Sequence, residues 1–219
     1  MTQSHTPVSG APVLEAIVLA AGRGARFGGD KLLAALNGAP LLTGALRTAF
    51  AAPVRRVWVA VDDDPRLVAA LNATAARLDA ADRMVIVSVP NAAEGMGASL
   101  RTAAAALPAD AAGSFVFLGD MPAIAPETPA KLAATLDQPD RIVVPIHAGR
   151  RGHPVLFGAD WLGALKRLKG DEGARRLLAE AGPRLIAVKV DDPGVLLDID
   201  RPEDLARFLS PIGAVGRDR

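Results

Sequence analysis

Short apolar runs rich in β-branched residues alternate along this chain with Ala- and Leu-rich stretches of helical spacing, and this rhythm limits the fold more than any other feature. Residues 14–21 (LEAIVLAA), 54–61, 84–89, 114–118 and 141–146 are mostly free of polar alternation, as strands buried on both faces are. Between them, 41–51, 65–79, 99–107 and 127–137 carry the helical pattern. Strand and helix in alternation predict an α/β fold with a doubly wound, mostly parallel sheet. After residue 146 the rhythm changes. HAGRRGHPVLFG places Gly-centred turns on both sides of a short apolar run; helical stretches follow at 159–168 and 172–181, then apolar runs at 184–190 and 195–199, and a last helix at 202–209 opening on Pro202. No polar linker sets this part off, so it reads as a small β/α elaboration of a single domain spanning 13–209, with 1–12 and 211–219 as flexible termini.

Composition removes several functions. The 219 residues hold 25 Lys and Arg against 24 Asp and Glu, a formal charge of +1, which gives no electrostatic footprint for nucleic acid or a membrane surface. Two Trp, six Phe and no Tyr leave little material for base-stacking platforms. Zero cysteine excludes disulfides, thiolate metal ligands and a catalytic thiol. A bound metal would have to sit on oxygen or on the three His. The first residues lack a basic flank before an apolar segment, and no apolar run reaches ~18 residues, so a soluble, cytoplasmic protein is expected.

The first apolar run ends in LAAGRGARFGGDK, residues 19–31. A Gly-rich turn after a strand is where open α/β sheets bind phosphates, because glycine lets backbone N–H groups approach the anion. It is neither a dinucleotide fingerprint, since Phe27 stands where Gly22-x-Gly24 would need its third glycine, nor a P-loop, since Lys31 follows Asp30 and precedes Leu32. What remains is three cations, Arg23, Arg26 and Lys31, among four glycines. That suits a triphosphate, although a solvated basic turn would look the same.

FVFLGDMP places Asp120 at the C-terminal end of the fourth apolar run, on the edge of the sheet that faces ligands. It is a candidate for Mg²⁺, which favours one or two carboxylates with phosphate oxygens and water; a plain turn cap is the alternative. In LLDIDRPEDL, Asp198 and Asp200 lie two apart and would share one face of a strand end. Asp200 equally fits an N-cap for the helix opening at Pro202, with Glu203 completing a capping box.

In PNAAEGMGASLRTAA, residues 90–104, Gly95 and Gly97 can bring backbone close to a ligand, while Ser99 reads as an N-cap. His153 in GRRGHPVLF has no metal-ligand spacing to another histidine. In GDEGARRLL, Asp171 is a good N-cap and Glu172 can pair with Arg176.

Together these strings resemble the MobA-like nucleotidyltransferases, and within them the molybdenum cofactor cytidylyltransferases (MocA-like). The first loop is similar to the pattern L-A-[AG]-G-x-S-x-R-M-G-x-x-K, departing at Gly24 and Phe27; GDMP and DIDRPED, with Arg201 in a Thr position, follow in order. The resemblance implies a Rossmann-like nucleotidyltransferase fold. It implies a loop of Leu19, Ala20, Ala21, Gly22, Arg23 and Gly24 around the nucleotide, with Arg26 and Lys31 on its phosphates. Asp120, closed by Asp198 or Asp200, would hold Mg²⁺, and Gly97 and Ser99 would meet the base. Arg150, Arg151, His153 and Asp171 would face the acceptor. The implied reaction moves CMP from CTP to the terminal phosphate of molybdopterin, with pyrophosphate released and a client molybdoenzyme as a further partner. Ala21 stands where guanylyl-transferring relatives tend to have Gly, which favours a pyrimidine. Guanylyl transfer, another small phosphorylated acceptor, or a non-catalytic cofactor carrier are the alternatives.

Overall fold

The computed structural model describes residues 13–22, 27, 29–90, 92–170 and 173–209. Its centre is β1 (Leu14–Leu19), which pairs in parallel with β4 (Val57–Val61) on one side and β6 (Gly113–Leu118) on the other. β5 (Met84–Ser88) extends the sheet beyond β4. Beyond β6 come β9 (Val155–Gly158), β7 (Ile142–His147) and β10 (Leu185–Lys189), with the short β8 (Arg150–Arg151) folded back on the end of β7. The eight-stranded sheet has the order β10-β7-β9-β6-β1-β4-β5. β1, β4, β5, β6, β7 and β10 all run one way, and β8 and β9 run against them, so the sheet is mostly parallel, as expected. A separate two-stranded ribbon, β2 (Ala35–Leu36) with β3 (Ala39–Pro40), turns through Asn37 and Gly38 at positive φ, the hairpin geometry whose twist matches the strands.

The unbroken apolar runs have a direct cause, since helices cover both faces of the sheet. Ala16, Val18, Val57, Val59, Phe115 and Phe117 point to one face, packed by α1 (Leu42–Ala51), α2 (Pro65–Arg77) and α4 (Thr128–Ala133) through Leu46, Leu71 and Leu132. Ile17, Leu19, Trp58, Ala60 and Val116 point to the other, packed by α3 (Met96–Ala106), α5 (Ala159–Leu165) and α6 (Arg175–Ala181) through Leu100, Leu165 and Leu177. Alternation along one strand therefore divides residues between two cores, not between core and water. The exception is Glu15, wholly buried on β1. Its carboxylate accepts from Arg55 Nε at 2.6 Å and Trp58 Nε1 at 2.9 Å, so the buried charge is fully paired. No described helix is long and apolar enough to cross a membrane.

Three local expectations need correction. Residues 195–199 form no strand: Pro193–Leu196 is a 3-10 turn, and Val195 and Ile199 are buried by packing without pairing in the sheet. Helix α3 begins at Met96, capped by Gly95 at φ 111, which leaves Ser99 inside the helix and not at its start. The last helix, α7 (Pro202–Leu209), is closed by Asp204, whose Oδ2 accepts from the Arg201 and Asp200 backbone N–H groups at 2.9 and 3.2 Å. The reach-back carboxylate of the capping box is thus one residue later than Glu203, and the side chain of Asp200 has another use.

Candidate active site

The chain runs outward from β1 to β4 and β5, then returns through α3 to β6 on the other side of β1. A reversal of strand order opens a crevice at the carboxyl ends of the two strands it separates, here β1 and β6. β1 feeds the Gly-rich loop and β6 feeds Asp120. Arg23, Gly24 and Arg26 lie outside the described residues. The loop re-enters at Gly29 and Asp30, both with positive φ, and passes into a 3-10 turn, Lys31–Leu33, anchored by the buried Leu32.

Lys31 brings distant segments together. Its Nζ donates to Asp120 Oδ2 at 2.7 Å and to Asp200 Oδ1 at 3.0 Å, joining residues 89 and 169 positions apart in sequence. The lysine is largely buried, with 12% side-chain exposure, while Asp120 has 23% and Asp200 42%. Burial pulls the ammonium down in pKa, but the hydrogen bonds and negative charges of Asp120 and Asp200 outweigh it and hold the group above 10.5. Lys31 therefore carries its full charge at neutral pH. Gly119 makes the geometry possible. Its N–H donates to the Leu19 carbonyl at 2.9 Å, and a Cβ there would meet that same oxygen at 3.0 Å, a crowded contact, so glycine lets the Asp120 turn close on the end of β1 without displacing it.

The donor set fits a hard divalent cation. Asp120 Oδ2 and Asp200 Oδ1 converge on one point, now filled by the ammonium, and Asp120 Oδ1 is buried with no hydrogen-bond partner. A lone-pair oxygen left unpaired out of solvent calls for a ligand. Among the described residues no group of three or more His, Asp or Glu could hold a metal, so a cation here would draw further ligands from phosphate and water, as Mg²⁺ commonly does.

The placement of Asp200 depends on a residue that the sequence reading passed over. Asp192 is buried and accepts from Thr128 Oγ1 at 2.6 Å, Ala125 N at 3.0 Å and Gly194 N at 3.0 Å. It thereby ties the 193–200 segment to the loop that follows Asp120. Gly194 packs directly on the Ala123 carbonyl, where a Cβ would collide, and Ile199 N donates to the Asp120 carbonyl at 3.0 Å. The signal was present as Asp-x-Gly before an apolar run, a common Asx-turn pattern, but its long-range partners were not legible. Asp198, two residues before Asp200, is exposed and makes no contact with Lys31.

Two crevices adjoin this cluster. One of ≈ 700 Å³ is lined by Ala20, Gly22, Asp30, Lys31, Asp62, Asp63, Asp64, Arg66, Val89 and Pro90. The other, ≈ 270 Å³, shares Ala20, Gly22 and Lys31 with it and adds Leu19, Ala21, Met96 and Asp120. The proposed loop residues Leu19, Ala20, Ala21 and Gly22 thus line the same space as Lys31 and Asp120. Gly97 and Ser99 are placed differently. Gly97 is buried against the Gly170 carbonyl, which leaves no room for a Cβ, and Ser99 is wholly buried with its Oγ unpartnered. The close approach that Gly97 permits is to the 167–170 loop, which is also held by Arg101 Nη1 donating to the Leu168 carbonyl at 3.0 Å. The acidic run at the end of β4, Asp62 to Asp64, and Arg66 beyond it went unread as crevice residues, although their position at a strand's carboxyl end was the available signal.

Because β9 runs backward, its first residues lie on the same edge of the sheet as Asp120. His153 stands just before it, with Nδ1 buried and unpartnered. Burial pushes its pKa below 6.5, against a backbone hydrogen bond at Val116 and the charges of Asp120 and Asp198, while Arg175 adds to the lowering. Arg150 and Arg151 are exposed on β8, paired with His147 and Ile146. Asp171 and Glu172 lie outside the described residues, and Arg176 pairs with Glu180 at 3.3 Å.

Comparisons with known proteins agree with this architecture. The model of the MobA-like NTP transferase domain matches residues 16–185. The purine catabolism protein PucB of Bacillus subtilis (strain 168) is 30% identical over 197 residues, 88% of this chain and 94% of PucB. Among solved structures, the Mycobacterium sp. strain JC1 homologue of Mycobacterium tuberculosis Rv0371c superposes with a TM-score of 0.75 at 29% identity, covering 89% of this chain and 94% of that one. Rv0371c from M. tuberculosis H37Rv, in a complex with manganese, gives a TM-score of 0.67 at 29% identity over 91% of this chain and all of that one. A nucleotidyl transferase from Methanothermobacter, at 22% identity and a TM-score of 0.72, shares the fold. With the domain matched across the sheet from β1 to β10 and PucB matched over nearly its whole length, the chain belongs to the MobA-like NTP transferase family.

Proposed function

We propose that the protein transfers CMP from CTP to the terminal phosphate of molybdopterin, releasing pyrophosphate and forming a cytosine dinucleotide. The observation that carries this reading is the meeting of Lys31, Asp120 and Asp200 at the switch point: a phosphate-loop cation and two carboxylates share one place beside a crevice of nucleotide size. An acceptor phosphate is already ionised at neutral pH, so no side chain has to act as base, and catalysis rests on alignment and charge neutralisation. Asp120 and Asp200 would hold Mg²⁺. The ion would supply charge neutralisation to the reacting phosphate. Lys31 would turn from the carboxylates to the triphosphate, with Arg23 and Arg26 sharing that load. Arg150, Arg151 and His153 belong to the acceptor side, because β8 and the start of β9 lie on the same edge as Asp120. The manganese complex of Rv0371c supports a divalent ion in this fold.

Guanylyl transfer is the rival, because a crevice of ≈ 700 Å³ admits a purine as readily as a pyrimidine. The experiment is to incubate the protein with Mg²⁺, molybdopterin and either CTP or GTP, and to measure pyrophosphate and dinucleotide. Turnover with GTP alone would sink the cytidylyl reading. Tight nucleotide binding with no pyrophosphate would favour a carrier.

A further inference from the structure

Asp30 and Lys31 are consecutive residues moored on opposite walls of the crevice. Lys31 reaches Asp120 and Asp200, whereas Asp30 is gripped by Arg66 at the first turn of α2. Arg66 Nη1 donates to Asp30 Oδ2 at 2.8 Å and Nη2 to Asp30 Oδ1 at 2.7 Å. The same guanidinium donates through Nε to Asp64 Oδ1 at 3.2 Å and through Nη2 to Asp64 Oδ2 at 2.9 Å. Asp64 is itself fixed as the N-cap of α2, accepting from Arg66 N at 2.9 Å. The hydrogen bonds of Arg66 hold the Asp64 carboxyl below its usual range.

Exposed ion pairs contribute little to stability as a rule, so this arrangement needs another reason. Two features point to one. A planar guanidinium engaging two carboxylates, each through both oxygens, fixes direction as well as distance. Asp30 also adopts a left-handed backbone, φ 50 and ψ 22, a conformation disfavoured for side-chain-bearing residues, and its carboxylate is delivered to Arg66 from there. The next residue along is the lysine that must change partners during a reaction.

We propose that Arg66 is a positioning residue. It holds Asp30, and through it the backbone entering Lys31, so that the ammonium moves from Asp120 and Asp200 to substrate phosphate by side-chain rotation while the loop end stays in place. This rests on the nucleotidyl-transfer reading of the crevice. It differs from a role as a phosphate ligand. If Arg66 bound phosphate directly, removing the charge of Asp30 would release it and tighten nucleotide binding; as a clasp, losing Asp30 weakens binding.

The test uses the full chain with Arg66→Ala, Asp30→Asn, the double variant and Arg66→Lys; Asn tolerates the left-handed backbone. The first readout needs no nucleotide: the rate of Lys31 acylation by an N-hydroxysuccinimide ester, measured by mass spectrometry against the exposed Lys131 and Lys189. The second is the affinity for CTP with Mg²⁺. Arg66→Ala and Asp30→Asn should each raise relative Lys31 acylation and weaken CTP binding by roughly three- to five-fold, the upper range for an exposed pair. The double variant should match the singles, since residues acting through one contact are not additive, and Arg66→Lys should resemble Arg66→Ala. Thermal midpoints should not move. Additive effects, unchanged Lys31 reactivity in Arg66→Ala, or tighter CTP binding in Asp30→Asn would each overturn the proposal. Failure of the unaltered protein to bind any nucleotide would instead sink the nucleotidyl reading, and the acylation series would still decide on the clasp.

Discussion

The two halves of the sheet reach the same crevice by different means. From β1 to β6 one rule repeats: a parallel strand, a loop at its carboxyl end, and a helix packed back on the sheet, α1 and α2 on one face and α3 on the other, with Lys31, Asp62 to Asp64 and Asp120 carried at the strand ends. Beyond residue 147 the rule lapses. β8 and β9 run backward, and Asp200 arrives on a segment with no sheet pairing at all, held by Asp192 and by the Ile199 N–H. Regular topology delivers a side chain to a strand end without further help. An irregular segment needs dedicated buried hydrogen bonds to place a carboxylate as accurately.

The largest effect should come from the regular half. Asp120→Asn is expected to cost about 10² to 10³ in turnover, the scale of removing one preorganised charge-stabilising group, with circular dichroism unchanged; near-normal pyrophosphate release would remove Asp120 from the chemistry. Next comes the strap. Asp192→Ala strands three donors, two of them backbone N–H groups, and should lower stability by about 2–3 kcal/mol, read as a reduced urea midpoint, with activity lost only as folding is lost. A loss of turnover at full stability would mean that the second half takes part in the reaction through Asp192, not merely as scaffold. Asp200→Asn should cost less, about ten-fold in turnover, because its carboxylate is the more exposed of the two, 42% against 23%, and Mg²⁺ readily takes water in place of a lost ligand. A loss equal to that of Asp120→Asn would make the halves equal partners, and no loss would reduce the 193–200 segment to packing. The smallest effect concerns His153. Its pKa is depressed in the fold, so its contribution to stability is complete above pH 6.5 and is lost as pH falls through the lower folded value. His153→Gln should flatten that acid limb in urea titrations, and an unchanged limb would assign it to other groups.

Legibility in the sequence follows the same division. The runs at 14–21, 54–61, 84–89, 114–118 and 141–146 each contain a strand, because burial on both faces leaves an unbroken apolar signature. Residues 195–199 carry a similar signature and form none. Val195 is buried with Met121 and Ile124 of the loop after Asp120, and Ile199 joins the main core; hydrophobicity alone does not report whether a buried segment hydrogen-bonds to a sheet. The meeting of Lys31 with Asp120 was readable because the carboxyl ends of parallel strands share one edge of the sheet. Asp200 remained tied with Asp198, since the choice is made by the backbone between 193 and 200 and by a cap that falls on Asp204. Ser99 misled for a physical reason as well: Gly95, with its positive φ, caps α3, three helical residues, Met96, Gly97 and Ala98, come before the serine, and a buried hydroxyl inside a small-residue helix resembles a cap in sequence.

The ammonium between Asp120 and Asp200 also makes the resting crevice self-neutralising. One positive group already balances part of the two carboxylates, so a divalent cation held by both Asp120 Oδ2 and Asp200 Oδ1 would have to take the place of Lys31. On the nucleotidyl-transfer proposal, displacement would become favourable when a triphosphate offers the lysine a new anion. Cation and nucleotide affinities are then linked by a shared exchange, each strengthening the other by the same factor. Mn²⁺ binding measured without nucleotide should accordingly be weak in the unaltered protein and stronger in Lys31→Met, and CTP should enhance it in the former far more than in the latter.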